Sequence, residues 1–496
     1  MSLSGASVAS AQSVEEREAD MFGEPADDEP VDEGEPTEQD AEQEEEDEPV
    51  DDDATTLLEE QMERRLAERD EATLDIGGGL FSQLQYSVLE EGSPETFPLS
   101  QPNILDVYLD ARPNDRLRVF AEGRVTHTPT GTSELLSPIS REVEPTQVAL
   151  DELWLKFDVD RTVYVTAGRQ HLRWGVGRFW YPNDFLFEQR RDPLAIFDVR
   201  TGADIIKAHF PLESLGWNFY AVVNLQEAGS PQDVGGAARA EFLAGLTEFA
   251  LSAAAKKDDP LQLGLDVSTG LGWFDVRAAL TLLHDVDTPF FRGESNFQDF
   301  DEIALDNLND LEIPEAFSRE GDWIPRALVG AEVGLPYGDD DTLYLGAEYF
   351  FNDAGYSDPE IYPWLIFNGA FRPLYTGRHY ASVYALLPSP GRFDDSSFSL
   401  ATLGNLSDRS FLSRLDYSVT VLTHLRAFAF GSFSWGADGE FTQGFRVPAI
   451  SEDVLQLAEA GGEFEAPQGM DLDDGFGGFS FPATRANLGV GIRLSY

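Results

Sequence analysis

From Leu74 to the last residue, apolar and polar side chains alternate with a period of two, the spacing at which a β-strand sends successive side chains to opposite faces. The C-terminal stretch shows it best. Ala486, Leu488, Val490, Ile492, Leu494 and Tyr496 share one face, and Asn487, Gly489, Gly491, Arg493 and Ser495 share the other. Leu153, Leu155 and Phe157 likewise oppose Glu152 and Lys156, and Leu261, Leu263, Leu265 and Val267 oppose Gln262, Asp266 and Ser268. One face suits lipid and the other water, as in a transmembrane antiparallel β-barrel, but a soluble β-sandwich alternates too, so the period alone does not distinguish them. The pattern predicts strands near 74–88, 103–111, 116–127, 147–158, 161–170, 201–210, 215–226, 237–244, 246–256, 261–270, 273–285, 326–335, 341–353, 378–387, 394–404, 412–422, 425–436 and 484–496. That makes eighteen, with 237–256 split at Gly245; merging that stretch would give an odd count and scramble the two ends, and sixteen is the alternative.

The connections alternate too. Every long one is odd-numbered (128–146, 171–200, 286–325, 354–377, 437–483), whereas even-numbered ones are tight turns such as Pro113-Asn114, Val159-Asp160 and Thr423-His424. Long loops at one end and short turns at the other is the plan of an outer-membrane barrel with both termini periplasmic. No apolar run approaches the roughly 20 residues of a membrane-spanning helix, so a membrane location requires strands.

The N-terminal part reads differently. Ala9-Ser10-Ala11 resembles the cleavage site of a signal peptide, so residues 1–11 are expected to be its remaining end. Residues 15–71 carry 28 Asp/Glu against four Arg, too little apolar surface to offset ordering entropy, and 12–54 is expected to be disordered. Leu58, Met62 and Leu66 predict a short amphipathic helix over 55–72, and the barrel is expected over 73–496. The net charge of −57 opposes nucleic-acid phosphates as partners. There is no cysteine, hence no disulfide and no thiolate metal site. No cofactor is expected; acidic loops such as 299–322 leave room only for weak Ca2+ or Mg2+ bridging to lipid phosphates, or serve hydration in a saline habitat.

Two segments resemble a known family. The strand ending in Tyr496 is similar to the terminal signature by which the insertion machinery recognises bacterial outer-membrane barrels, making Tyr496 the expected insertion signal. Gly168-Arg169-Gln170-His171-Leu172-Arg173-Trp174-Gly175, followed by Arg178-Phe179-Trp180, resembles a Gly-Arg-Gln…Trp-Gly run of Gram-negative porin-like barrels. The resemblance spans 74–496 in pattern but only these two segments in motif. It implies partners in outer-membrane lipid, lipopolysaccharide, the insertion machinery and further copies of the chain. By likeness in barrel plan to general porins, the third loop would fold into the lumen.

That loop is also where an acidic chain concentrates its arginines. Arg169, His171, Arg173, Arg178, Arg190 and Arg191 are the candidate solute-binding and constriction residues, since guanidinium groups in a low-dielectric pore focus a field on anionic solutes. The structural alternative is that they pair with Asp184, Glu188, Asp192 and Asp198 to pin the loop. Strand phase sends Arg118, Glu122, Arg124, Glu152, Lys156, Asp266, Arg277, Glu332 and Glu348 to the lumen. Six scattered histidines, no Gly-x-Ser-x-Gly and no phosphate loop argue against catalysis. The sequence thus predicts a channel for small hydrophilic or charged solutes. A plugged scaffold barrel for surface interaction or assembly, a transporter of apolar compounds and a soluble secreted β-protein are the competing readings.

Overall fold

The computed structural model describes residues 74–130, 145–187, 192–337, 341–461, 476–480 and 482–496. The expectations for 1–72 and for Arg190, Arg191 and Glu188 fall outside these residues. Eighteen antiparallel strands form one closed barrel: β1 (Leu74–Leu89), β2 (Asn103–Asn114), β3 (Leu117–His127), β4 (Thr146–Val159), β5 (Val163–Gln170), β6 (Ala203–Leu212), β7 (Trp217–Asn224), β8 (Gly235–Ala244), β9 (Thr247–Ala255), β10 (Leu261–Leu271), β11 (Phe274–His284), β12 (Trp323–Tyr337), β13 (Asp341–Asn352), β14 (His379–Pro388), β15 (Ser396–Asn405), β16 (Ser410–Leu422), β17 (Leu425–Gly436) and β18 (Thr484–Ser495). Each pairs with the next. β18 returns to β1 in register from Gly79 opposite Ser495 to Val88 opposite Ala486, and Gly78 and Tyr496 exchange two backbone hydrogen bonds. Closure removes the open edges that no lipid-immersed sheet can leave unpaired.

Gly245 keeps the count even. It adopts φ +65°, a left-handed conformation that glycine enters at little cost, and the tight turn it makes with Leu246 separates β8 from β9. Sixteen strands are excluded. The ends sort as expected: connections 115–116, 160–162, 213–216, 245–246, 272–273, 389–395 and 423–424 are short, while 171–202, 285–322, 353–378 and 437–483 leave from the other end.

Alternation puts Leu488, Val490, Ile492, Leu105, Val107, Leu153 and Leu251 on an exposed apolar outer face. A bulge between Glu122 and Gly123 leaves Asp151 of β4 unpaired and turns it inward beside Glu152, where it is buried. Beyond the long-loop end, 285–322, 353–378 and the described residues of 437–483 fold on one another. Phe297, Ile303, Tyr362, Leu365, Val447 and Leu455 make an apolar core there, with two helices, α1 (Tyr362–Phe367) and α2 (Glu452–Gly461), and a short parallel pairing of 302–303 with 449–450. Tyr362-Pro363-Trp364 therefore serves loop packing. The aromatic density of these loops was visible in the sequence, but which loops would share it was not.

Candidate functional site

The connection between β5 and β6, residues 171–202, turns into the barrel because its own sequence is too apolar to stay in water. Leu172, Trp174, Phe179, Trp180, Tyr181, Leu186 and Phe187 are all buried. A ring of Trp or Phe size removes about 150–250 Å² from water, worth ~4–6 kcal/mol at about 25 cal/mol/Å². The wall accommodates them in three sectors. Leu172, Trp174, Leu186 and Phe187 pack on Ala203, Ile205, Val222, Ala237 and Ala254 of β6 to β9. Phe179 and Trp180 pack on Ala279, Leu328, Phe350, Tyr380, Tyr384 and Leu403 of β11 to β15. Ile196 and Phe197 close on Phe81, Ile104, Phe428 and Phe430, with the Phe81 and Phe197 rings 5.3 Å apart. Small inward residues on β8 to β11 are the counterpart of this inner loop. A Cβ on Gly264 would stand 2.7 Å from Asn183 Oδ1 and 2.4 Å from Ser252 Oγ.

Polar contacts fix the loop's path. Asn183, fully buried, donates from Nδ2 to Asp266 Oδ1 (2.6 Å) and to the Leu265 carbonyl (3.2 Å), and its Oδ1 accepts from Thr281 Oγ1 (2.6 Å). Arg239 braces the same carboxylate from the wall, 2.6 Å from Asp266 and 2.7 Å from Glu241, all three buried. Glu348 accepts from the backbone N–H groups of Arg178 (2.6 Å) and Phe179 (3.0 Å) and pairs with Arg277 (3.1 Å). Tyr384 Oη donates to Glu332 (2.5 Å) and accepts from Arg277 (2.5 Å). The Arg178 guanidinium lies over the Tyr384 ring, 4.3 Å from its centroid, and reaches Glu332 at 3.4 Å while about a third of its side chain stays exposed. Wall carboxylates, not the loop's own, thus take most of these contacts; within the loop Arg200 pairs with Asp198 at 2.8 Å.

A second charged belt lies on β2 to β4. Arg124 is buried between Asp106 (2.8 Å) and Asp151 (2.6 Å), Arg118 pairs with Asp110 (2.9 Å), and Glu152 accepts from Trp154 Nε1 (2.9 Å). Lys156 stands opposite Arg118 and Glu122 opposite Glu152 across the β3–β4 ladder, on the same inner face. In a closed barrel of eighteen strands β3 and β12 lie nine strands apart in either direction, so this belt faces Arg277, Glu332 and Glu348 across the lumen. His171 joins the inner loop to this β2–β4 belt: its Nε2 is 3.0 Å from Asp151 and its backbone N–H donates to Glu152 (2.8 Å). Burial opposes charge on this imidazole, but the hydrogen bond and charge of Asp151 outweigh it and raise its pKa.

Arg169 is a correction. It shares strand phase with Val163, Val165 and Ala167, lies opposite the outward Leu153, and pairs with Asp204 (2.6 Å) on the outer face. It is therefore not brought together with His171, Arg173 and Arg178. Arg173 stacks over Tyr181 of the same loop at 5.2 Å. Asn183 and Arg239 were missed from the sequence; the cluster of small inward residues on the wall facing them was the available signal. Among the described residues no group of three or more His, Asp or Glu side chains is placed to hold a metal ion.

No protein-family model and no curated protein sequence matches the chain. Among solved structures it is similar to OccAB1 of Acinetobacter baumannii (9% identity, 85% of this chain and 96% of that one, TM-score 0.47). It is also similar to OccK2 (OpdF) of Pseudomonas aeruginosa (11% identity, 85% and 98%, TM-score 0.46) and to a mutant porin of Rh. blastica (10% identity, 85% and 100%, TM-score 0.39).

Proposed function

We propose that the chain is a channel of the bacterial outer membrane for small hydrophilic or charged solutes, with the inner loop 171–202 narrowing its lumen. The observation that carries this reading is a closed barrel with an apolar outer face and a charged inner face, crossed by one loop. Arg173, Arg178 and His171 meet the anionic part of a passing solute. The carboxylates of the facing belts set the transverse field. Both termini lie on the periplasmic side, at the end of the short turns.

A plugged scaffold is the second reading, favoured by the three apolar sectors that the inner loop fills and by the folded outer loops. Conductance in a planar bilayer separates the two. With a channel, the refolded protein passes steady current, and neutralising Arg173 and Arg178 to glutamine shifts ion selectivity toward cations. Absence of current with residues 12–72 present or removed sinks the channel reading in favour of the scaffold.

A further inference from the structure

The outer loop 437–483 approaches the inner loop through Phe441, packed beside Phe179 and Trp180, and through the Glu440 carboxylate by way of Leu374. Glu440 is buried and accepts from Tyr380 Oη (2.6 Å), from Asn405 Nδ2 (2.9 Å) and from the backbone N–H of Leu374. Leu374 is also the inner loop's neighbour: its carbonyl accepts from the Trp180 indole N–H (3.1 Å), and the next residue, Tyr375, accepts through its hydroxyl from the backbone N–H of Tyr181 (3.1 Å). Leu374 holds φ +66°, a left-handed conformation that a branched side chain keeps only under constraint from its surroundings. The constraint on its N–H is Glu440.

The surroundings of Glu440 contain a second carboxylate, and among the described residues no cation is paired with it. Asp408 accepts from the same Asn405 Nδ2 (2.9 Å), from Tyr362 Oη (3.2 Å), from the Glu440 backbone N–H (2.9 Å) and from Ser410. One amide nitrogen shared at those distances puts the two carboxylates within about 6 Å, the range over which like charges oppose each other's ionisation. The titratable groups facing Glu440 are Tyr380 of β14, Tyr362 of α1 and Asp408 of the 406–409 connection; among the described residues no ion pair is made by either carboxylate. Burial is the dominant influence and lifts the Glu440 carboxyl to about 7 over the opposing hydrogen bonds of Tyr380, Leu374 and Asn405, while the charge of Asp408 adds to the rise.

We propose that Glu440 is a latch between the outer and inner loops, closed while its carboxyl is neutral and loosened when ionisation leaves two uncompensated buried charges beside Leu374. Loosening frees Leu374 and with it the hold on Trp180, so the inner loop moves and the lumen widens. The inference rests on the channel reading and adds its regulation.

The test is single-channel conductance of the full chain between pH 5 and 9. Wild type passes more current as pH rises, with a midpoint near 7. Glu440→Gln, a neutral isostere, stays at the low-pH level throughout, and Asp408→Asn moves the midpoint by roughly one pH unit, since it removes the like charge. Removing that charge eases ionisation, so this shift is downward. An unchanged pH profile in Glu440→Gln overturns the latch and leaves the channel standing; should that variant fail to assemble, an unshifted midpoint in Asp408→Asn does the same. If no variant conducts, the channel reading falls, and amide exchange of 372–376 and 178–184, corrected for intrinsic rate, decides the latch. Protection lost above pH 7 in wild type but kept in Glu440→Gln supports it, and equal profiles overturn it.

Discussion

Replacing Asn183 by alanine removes the side chain that ties the inner loop to the far wall. The buried amide makes three hydrogen bonds: to Asp266, the salt-bridge partner of Arg239, at 2.6 Å, to the Leu265 carbonyl at 3.2 Å, and from Thr281 at 2.6 Å. A bond to a charged group contributes about 1.5–3 kcal/mol, and a buried hydroxyl left without an acceptor costs about 1–3 kcal/mol. The Leu265 carbonyl keeps its place in the β10 ladder and adds little. The docking of the loop tip is therefore weakened by ~4 kcal/mol, a factor of about 10³ in the docking equilibrium. The barrel itself keeps its stability, because the strand ladders do not depend on this side chain. Hydrogen exchange in detergent should show the amides of 178–184 exchanging up to ~10³ faster with the strand amides unchanged, and single-channel records should become noisier. Exchange at 178–184 within about threefold of wild type would refute the claim that Asn183 anchors the loop.

Gly264→Ala should undo the same anchor from the wall side, since its Cβ would press on Asn183 Oδ1 and Ser252 Oγ; overpacking of this kind costs about 1–3 kcal/mol, and a thermal melt with loop exchange reads it. His171 predicts a pH dependence. Its pKa is raised on folding, so its contribution to loop stability is complete below the ordinary imidazole value near 6.5 and is lost as pH rises through the higher folded value; His171→Gln should flatten the exchange profile of 171–176 across that window. Tyr496→Ala should leave the melting temperature of the assembled barrel nearly unchanged, because the ring is 86% exposed, while lowering the yield of assembled barrel in cells; a wild-type yield would remove its role as an insertion signal.

Alternation alone determined where the strands run and which ends carry long loops, because a period of two reports locally which face each side chain takes. For the same reason strand phase already sent Asp266, Arg277, Glu332 and Glu348 inward, and it also contained the answer for Arg169, which keeps step with Val163, Val165 and Ala167 and so points out. The split at Gly245, and with it the choice of eighteen over sixteen, was settled only by the three-dimensional structure. What the tertiary structure decided were contacts between residues far apart in the chain. That Glu348 holds the backbone of Arg178, that Asn183 reaches Asp266, and that three outer loops share one core depend on barrel closure bringing distant strands face to face. Glu440 is the extreme case. In the sequence it is one carboxylate among 91 acidic residues, and its distinction is burial beside Asp408 and Leu374, a property of neighbours that no local period encodes.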